Sequence, residues 1–207
     1  MRRLAILGLM VCHSIAAATG GSVAIGGGDF SSVLPAGPAS PAGAVAPAGP
    51  VSPTSPAAPT TTHVGAYRLD RVPVTNGEFL DFVLHHREWR RGRIPALFAD
   101  SDYLSHWKAP DELGTAAQPD QPVTRVSWFA ARAYCEAAGG RLPTWFEWEF
   151  AAAADESRPD ARNDAGWRER ILSWYEHPAN SQLSRVGLGP ANFYGVQDLH
   201  GLVWEWV

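Results

Sequence analysis

The segment Asp198-Leu-His-Gly-Leu-Val-Trp-Glu205 is the part of this sequence whose residue types are best suited to chemistry. Two carboxylates seven residues apart flank a glycine, and a sharp turn would let the backbone carbonyls between them point inward. Side-chain and backbone oxygens in an irregular arrangement are the ligands that calcium prefers. The pattern is compatible with a calcium site at Asp198 and Glu205. On spacing alone, a solvated turn with ordinary surface ion pairs is the favoured interpretation.

Most other reactive side chains favour structural roles. His85 and His86 lie at the end of a predicted helix, where a solvated face is favoured over a pair of metal ligands. For His200, inside the 198–205 segment, a structural hydrogen bond competes with a role in lining the site. Ser127 lacks the glycines of a nucleophile elbow and is expected to cap a helix. The sequence therefore predicts no catalytic residue.

The first twenty residues have the parts of a secretory signal peptide. A basic start is followed by a short apolar run and by small residues at 16–18, where a cleavage site belongs. The apolar run is too short to cross a bilayer of about 30 Å as a helix. We therefore expect residues 1–20 to direct export to the bacterial periplasm or the medium, and a protein that is not embedded in a membrane.

Cys135 is the cysteine that would remain after such cleavage, because Cys12 would leave with the signal segment. A mature chain with one cysteine cannot form an intrachain disulfide. Cys135 lies in a helical pattern, and two interpretations are open. It is either a small buried apolar side chain, which we favour, or a reactive thiol or ligand for copper or iron.

Composition limits the remaining classes. The 207 residues fit one domain, and a net charge of -4 without a basic run argues against a nucleic-acid partner. Residues 35–62 are rich in proline and alanine and carry no charge, so we expect this tract to be disordered. Composition alone allows the tract to be a linker before the domain or a loop inside it.

Local patterns predict an α+β fold with few long elements. Alternating residues indicate strands near 23–34 and 66–73, and Ser127 is expected to cap a helix that ends at Gly139. Two capping boxes, Thr75 with Glu78 and Thr144 with Glu147, open further helices, the second running to Ala154. After Pro159 the sequence is aromatic and punctuated by glycine, and we expect short strands and loops there.

Several blocks in order resemble the formylglycine-generating enzyme (sulfatase-modifying factor) family. The similarity covers about residues 66–207 and is carried by the blocks 71–76, 121–128, 130–135, 140–144, 147–149, 192–195 and 198–206. The family commonly begins with a Gly-Gly-x-Phe strand, which Gly27-Gly28-Asp29-Phe30 resembles. This favours one domain over 21–207, with the tract 35–62 as a loop inside it.

The resemblance implies a compact fold related to C-type lectins, with little regular secondary structure and bound calcium. By the family's motif the calcium ligands are Asp198, the backbone carbonyls of Gly201 and Val203, and Glu205. Members of the family oxidise a cysteine of a sulfatase to formylglycine with molecular oxygen and a copper ion held by two cysteines. The resemblance thus implies a protein-modifying oxidase or maturation factor.

The copper-ligand cysteines of the family follow the Trp-Glu-Trp block, whereas this chain ends at Val207. We therefore expect a domain that lacks its C-terminal part, has no copper ligands and is inactive in this form. The blocks are most similar to members that accompany copper nitrite reductases. The alternative function is accordingly a monomeric, non-catalytic accessory module that binds a protein or peptide, such as a periplasmic copper nitrite reductase.

Overall fold

The computed structural model describes residues 8–10, 13–14, 21–32, 61–176 and 183–207. Within these ranges the chain forms eight short strands, four α-helices and one 3-10 helix at Arg87–Trp89, joined by long irregular segments. This mixture of helices and small sheets confirms the predicted α+β class.

Two antiparallel strand pairs build the first half of the fold. They are formed by β3 (Ser22–Ile25) with β6 (Tyr67–Asp70) and by β4 (Gly28–Ser31) with β5 (Thr61–Val64). The connection at Gly27 has a φ of 72°, and a Cβ there would lie 2.3 Å from the carbonyl oxygen of Val64. Only glycine fits at this crossing, because both the backbone conformation and the space exclude a side chain.

The proline-rich tract falls between the two paired strands β4 and β5 along the chain. Its residues up to 60 lie outside the described residues, so its predicted disorder stays a prediction. Thr61 and Thr62 were expected to belong to the tract but are part of β5, because they pair with Ser31 and Phe30.

Two further strands come from the predicted signal segment. β1 (Gly8–Met10) runs parallel to β8 (Trp204–Trp206), and β2 (His13–Ser14) pairs antiparallel with β7 (Gly140–Arg141). The other residues of the segment 1–20 lie outside the described residues. In the full-length chain, part of the segment therefore contributes strands to the fold.

The helices begin where the capping patterns predict. α1 (Asn76–His85) and α3 (Trp145–Ala152) each open with a complete capping box, at Thr75 and Thr144. α2 (Trp128–Ala137) is capped by Ser127, whose hydroxyl accepts from the amide of Ala130. α2 is followed by Gly139 with a φ of 77°, the left-handed stop expected at a helix end. α3 ends at Ala152 and not at the predicted Ala154.

The buried side chains form two clusters. The first packs α1 against α2, with the rings of Phe79 and Tyr134 stacked at 5.7 Å. The second packs Ala151 and Ala152 of α3 against the strands and the loop after Gly195. β8 is tied to the first cluster, because the Trp206 indole donates to the carbonyl of Val126 at 3.0 Å.

The prediction of short strands and loops after Pro159 is wrong for one segment, because α4 spans Ala165–Glu176. The Asp164 carboxylate accepts from the amide of Trp167 at 2.8 Å and caps this helix. Trp167, Ile171 and Trp174 follow at helical spacing and lie on one face. The helix was missed because its aromatic residues resemble a strand pattern and its stabilising contacts come from distant residues.

Among the residues that the structure describes, no helix is both long enough and apolar enough to span a membrane.

Candidate functional site around Glu205

The segment Asp198–Glu205 makes a tight turn that leads into β8. Asp198 and Gly201 both have left-handed backbone conformations, with φ of 63° and 85°. Aspartate is one of the few side chains that tolerate this region, whereas Gly201 is required for a second reason. A Cβ on Gly201 would lie 2.8 Å from the ring of Trp174, so α4 packs directly on the turn.

Glu205 is the electrostatically unusual residue of this turn. The Trp148 indole of α3 donates a hydrogen bond to its Oε2, while Oε1 is shielded from solvent and has no hydrogen-bond partner. Burial raises the pKa of Glu205 to about 8; the Trp148 hydrogen bond opposes this rise and the charge of Asp198 adds to it. A buried carboxylate oxygen without a partner is uncommon and calls for an explanation.

Asp198 lies within electrostatic range of Glu205 and is held by the preceding loop. Its Oδ2 accepts from the amide of Gly187. The Gln197 side chain donates to the carbonyls of Gly187 and Gly189, at 3.1 and 2.6 Å, and closes the loop around Asp198. The turn thus brings together the two carboxylates that the sequence singled out.

The side-chain donors of this turn are carboxylate oxygens, which suit a hard cation. The described part of the chain contains no group of three or more His, Cys, Asp or Glu side chains that could hold a metal ion. A cation between Asp198 and Glu205 would satisfy Oε1 and offset the repulsion of the two carboxylates, and would need backbone oxygens as further ligands. Such a role for the carbonyls of Gly201 and Val203 stays a prediction.

His200 makes a structural hydrogen bond, one of the two roles that the sequence allowed for it. Its Nε2 donates to the carbonyl of Ala152 at 2.8 Å, and its Nδ1 is buried without a partner. Three indoles surround the imidazole, those of Trp148, Trp167 and Trp174, with ring centroids 5.8 to 6.1 Å away. Burial lowers the pKa of His200, so the neutral ring acts as a spacer between α3 and α4.

A cavity of about 90 Å³ lies between α4 and the 189–200 loop. His200 and Asp198 line it on one side, and Trp167, Arg170 and Trp174 on the other. Arg170 is paired with Glu156 at 3.1 Å, and both side chains line the cavity. The cavity has room for a few water molecules next to the Asp198–Glu205 turn.

The expectation of a single cysteine thiol concerns the mature chain and stays a prediction, because the structure is that of the full-length chain. Cys135 is fully buried in α2 and is disulfide-bonded. The sequence contains one other cysteine, Cys12, which lies outside the described residues. The expectation assumed that Cys12 had been removed with the signal segment, whereas the structure is that of the uncleaved chain. In this state the Cys135 sulfur is not available as a thiolate.

Arg141, Glu147, His85 and His86 have structural or surface positions. Arg141 forms a bidentate pair with Glu147, at 2.7 and 2.8 Å, and Glu147 also closes the Thr144 capping box. Burial raises the pKa of Glu147, but the hydrogen bonds from Arg141 and Thr144 outweigh it and hold the pKa at about 2. The side chains of His85 and His86 are exposed on the surface.

Trp148 and Trp174 are the site residues that the sequence reasoning missed. Trp148 stands between two glutamates in a block that served only for the family resemblance, and its partner Glu205 is 57 residues away. Trp174 could have been found from its helical spacing with Trp167. For Trp148 no local pattern indicates the contact.

Comparison with known proteins shows the family to which the chain belongs. Residues 14–207 match the family described as "Sulfatase-modifying factor enzyme 1-like domain". The chain is 34% identical over 159 residues to the hercynine oxygenase of Mycobacterium tuberculosis, covering 69% of this chain and 37% of that protein. It is 29% identical over 187 residues to the formylglycine-generating enzyme of Streptomyces coelicolor, covering 70% of this chain and 58% of that protein.

A third relative is the inactive Cα-formylglycine-generating enzyme 2 of Bos taurus. It is 30% identical over 181 residues, covering 69% of this chain and 60% of that protein. The aligned part is therefore less than two thirds of each of these three relatives. Two of the three relatives are named as an oxygenase and a formylglycine-generating enzyme, and the third is named as inactive. The match over residues 14–207 and the ordered sequence blocks establish that this chain belongs to the sulfatase-modifying factor family.

Proposed function

We propose that this chain is an exported calcium-binding domain of the sulfatase-modifying factor family that takes part in the maturation of another protein. The observation that carries the proposal is the shielded Oε1 of Glu205, which has no hydrogen-bond partner and lies near a second carboxylate, Asp198. Calcium, when bound, would supply a positive charge at this oxygen. It would also join the turn to β8 and, through Trp148, to α3.

Calcium titration of the full chain tests the metal site. Isothermal titration should give binding heat for the native chain and none for the variant Asp198→Ala/Glu205→Ala. Magnesium is the control ion, because it requires octahedral geometry and gives up its water reluctantly. Equal calcium heats for the native chain and the variant would remove the assigned site.

By resemblance, the activity of the whole protein would be the oxidation of a cysteine to formylglycine. We propose that this chain does not perform that oxidation with its own cysteines. In the uncleaved chain the Cys135 sulfur is engaged in a disulfide. After removal of the signal segment Cys135 would be one thiol, whereas the family's copper ion is held by two cysteine thiolates. The test is incubation with copper(I), oxygen and a cysteine-containing sulfatase peptide. We expect an unchanged peptide mass; a product with the mass of the formylglycine peptide would refute this part.

A second candidate function is an accessory module that binds a periplasmic metalloenzyme such as a copper nitrite reductase. A specific feature favours it: Trp174, Tyr175 and Trp204 are exposed near the turn, and the rings of Tyr175 and Trp204 are 5.2 Å apart. Exposed aromatic clusters are typical of interaction sites. The native chain should retain copper nitrite reductase on a column, and the variant Trp204→Ala should retain less. Equal retention by both would contradict a role for this cluster.

Export is tested by sequencing the N-terminus of the protein from the periplasmic fraction. Cleavage near residue 20 would support the signal peptide. Recovery of the intact N-terminus in the cytoplasm alone would contradict it.

A further inference from the structure

Helix α3 carries two indole-to-carboxylate hydrogen bonds with different surroundings. The Trp145 indole donates to Glu149 Oε2 at 3.0 Å, and the Trp148 indole donates to Glu205 Oε2. Glu149 has further partners, since Ser32 donates to the same oxygen at 2.6 Å and Arg162 lies 3.5 Å from the other oxygen. Glu205 has none at Oε1. The Trp145 bond thus belongs to a carboxylate whose two oxygens both have partners, whereas the Trp148 bond leaves Glu205 Oε1 without one.

The indole of Trp148 determines which oxygen of Glu205 has no hydrogen-bond partner. An indole N–H can only donate, so it fixes one carboxylate oxygen and leaves the other for a different partner. The ring itself has little freedom. It packs between Trp145, at 6.0 Å, and His200, at 5.8 Å, and His200 is tied to Ala152 of the same helix. The direction of the Glu205 carboxylate is therefore set by α3 and not by the turn alone.

We propose that Trp148 is the positioning residue of the calcium site, holding Glu205 Oε2 so that Oε1 faces the ion. This inference rests on the proposed function, because it assigns a role toward the same ion. The side chain does not touch the ion; it acts through Glu205. Residues that orient a metal ligand in this way typically change metal affinity by about 10- to 100-fold when they are lost.

The test compares Trp148→Phe with Trp145→Phe in the full chain, by isothermal titration with calcium. Each variant removes one indole N–H of α3 that donates to a carboxylate, that of Glu205 in β8 for Trp148 and that of Glu149 in α3 for Trp145, so the two are matched in chemistry. We expect Trp148→Phe to raise the Kd for calcium by about 10- to 100-fold and Trp145→Phe to leave it within about twofold. An unchanged Kd in Trp148→Phe would overturn the positioning role while leaving the calcium site in place.

A spectroscopic measurement on the native chain covers the case in which Trp148→Phe fails to fold. The indole N–H resonance of Trp148 should shift when calcium is added, and that of Trp145 should stay in place. A Trp148 resonance that does not move at saturating calcium would overturn the positioning role. A native chain that takes up no calcium at all would instead refute the proposed site, and the inference with it.

Discussion

The contact between Gly201 and Trp174 gives a prediction whose size can be worked out from the structure. Gly201→Ala would place a Cβ 2.8 Å from Cδ2 and 2.9 Å from Cγ of the Trp174 ring, at a φ of 85°. Two costs therefore add at one position. The first is the left-handed backbone, and the second is the displacement of an indole that stacks on His200.

The two costs can be estimated separately. A left-handed alanine costs about 1–2 kcal/mol, partly offset by the lower entropy of its unfolded chain, which leaves about 1 kcal/mol. Overpacking costs about 1–3 kcal/mol. The total is about 2–4 kcal/mol, and at this chain length each kcal/mol lowers Tm by about 2–4 °C.

Gly92 provides the matched control, because its φ is 80° but a Cβ there would meet nothing within 4 Å. Urea unfolding followed by far-UV circular dichroism should show a loss of about 1 kcal/mol for Gly92→Ala and about 2–4 kcal/mol for Gly201→Ala. In a Trp174→Ala background the contact is gone. Gly201→Ala should then cost only the backbone part, about 1 kcal/mol.

Equal losses for Gly92→Ala and Gly201→Ala would refute the reasoning. So would an undiminished cost of Gly201→Ala in the Trp174→Ala background. Either result would mean that α4 does not pack on the turn, and the aromatic enclosure of His200 would fall with it.

Three further predictions concern stability and protonation. Glu147→Gln should cost about 1–2 kcal/mol of stability at pH 7, a figure reduced for solvent screening of the half-exposed Arg141. Because the pKa of Glu147 is lowered to about 2 in the folded chain, the stability difference between the native chain and the variant should disappear as the pH falls from about 4.5 to 2. Urea unfolding at pH 7 and pH 2.5 checks this, and a difference that stays constant would contradict it. Burial, with the charges of Arg125 and Arg91, lowers the pKa of His106 to about 4. The free energy of unfolding should therefore fall as the pH drops from about 6.5 to 4. The His106 ring resonances should not titrate between pH 5 and 7, and a titration midpoint near 6.5 by NMR would contradict this. Ser127→Ala should cost about 1 kcal/mol through loss of the α2 cap, whereas no change in the urea midpoint would show that the cap is dispensable.

The features predicted correctly are those whose cause is local. The capping boxes at Thr75 and Thr144 depend on residues three positions apart, and the start of α2 depends on Ser127 and the amide of Ala130. Such features can be read from adjacent residues because the hydrogen bonds involved close within one helical turn or one connection.

The features that were missed depend on contacts between distant segments. α4 buries none of its own side chains completely, and its inner face becomes apparent only when His200 is placed between Trp167 and Trp174. The two carboxylates of the turn could be predicted from spacing and resemblance. The bond from Trp148 could not, because nothing in the sequence near residue 148 indicates that residue 205 lies beside it.

The central claim is that a calcium ion is held between Asp198 and Glu205. The most direct measurement is a crystal structure of the full chain grown with calcium, with anomalous data to locate the ion. We predict one ion about 2.3–2.6 Å from Glu205 Oε1 and from an Asp198 carboxylate oxygen, with backbone carbonyls of Gly201 and Val203 completing its ligands. A calcium-saturated crystal with no anomalous peak at this turn, or with its peak elsewhere, would contradict the claim.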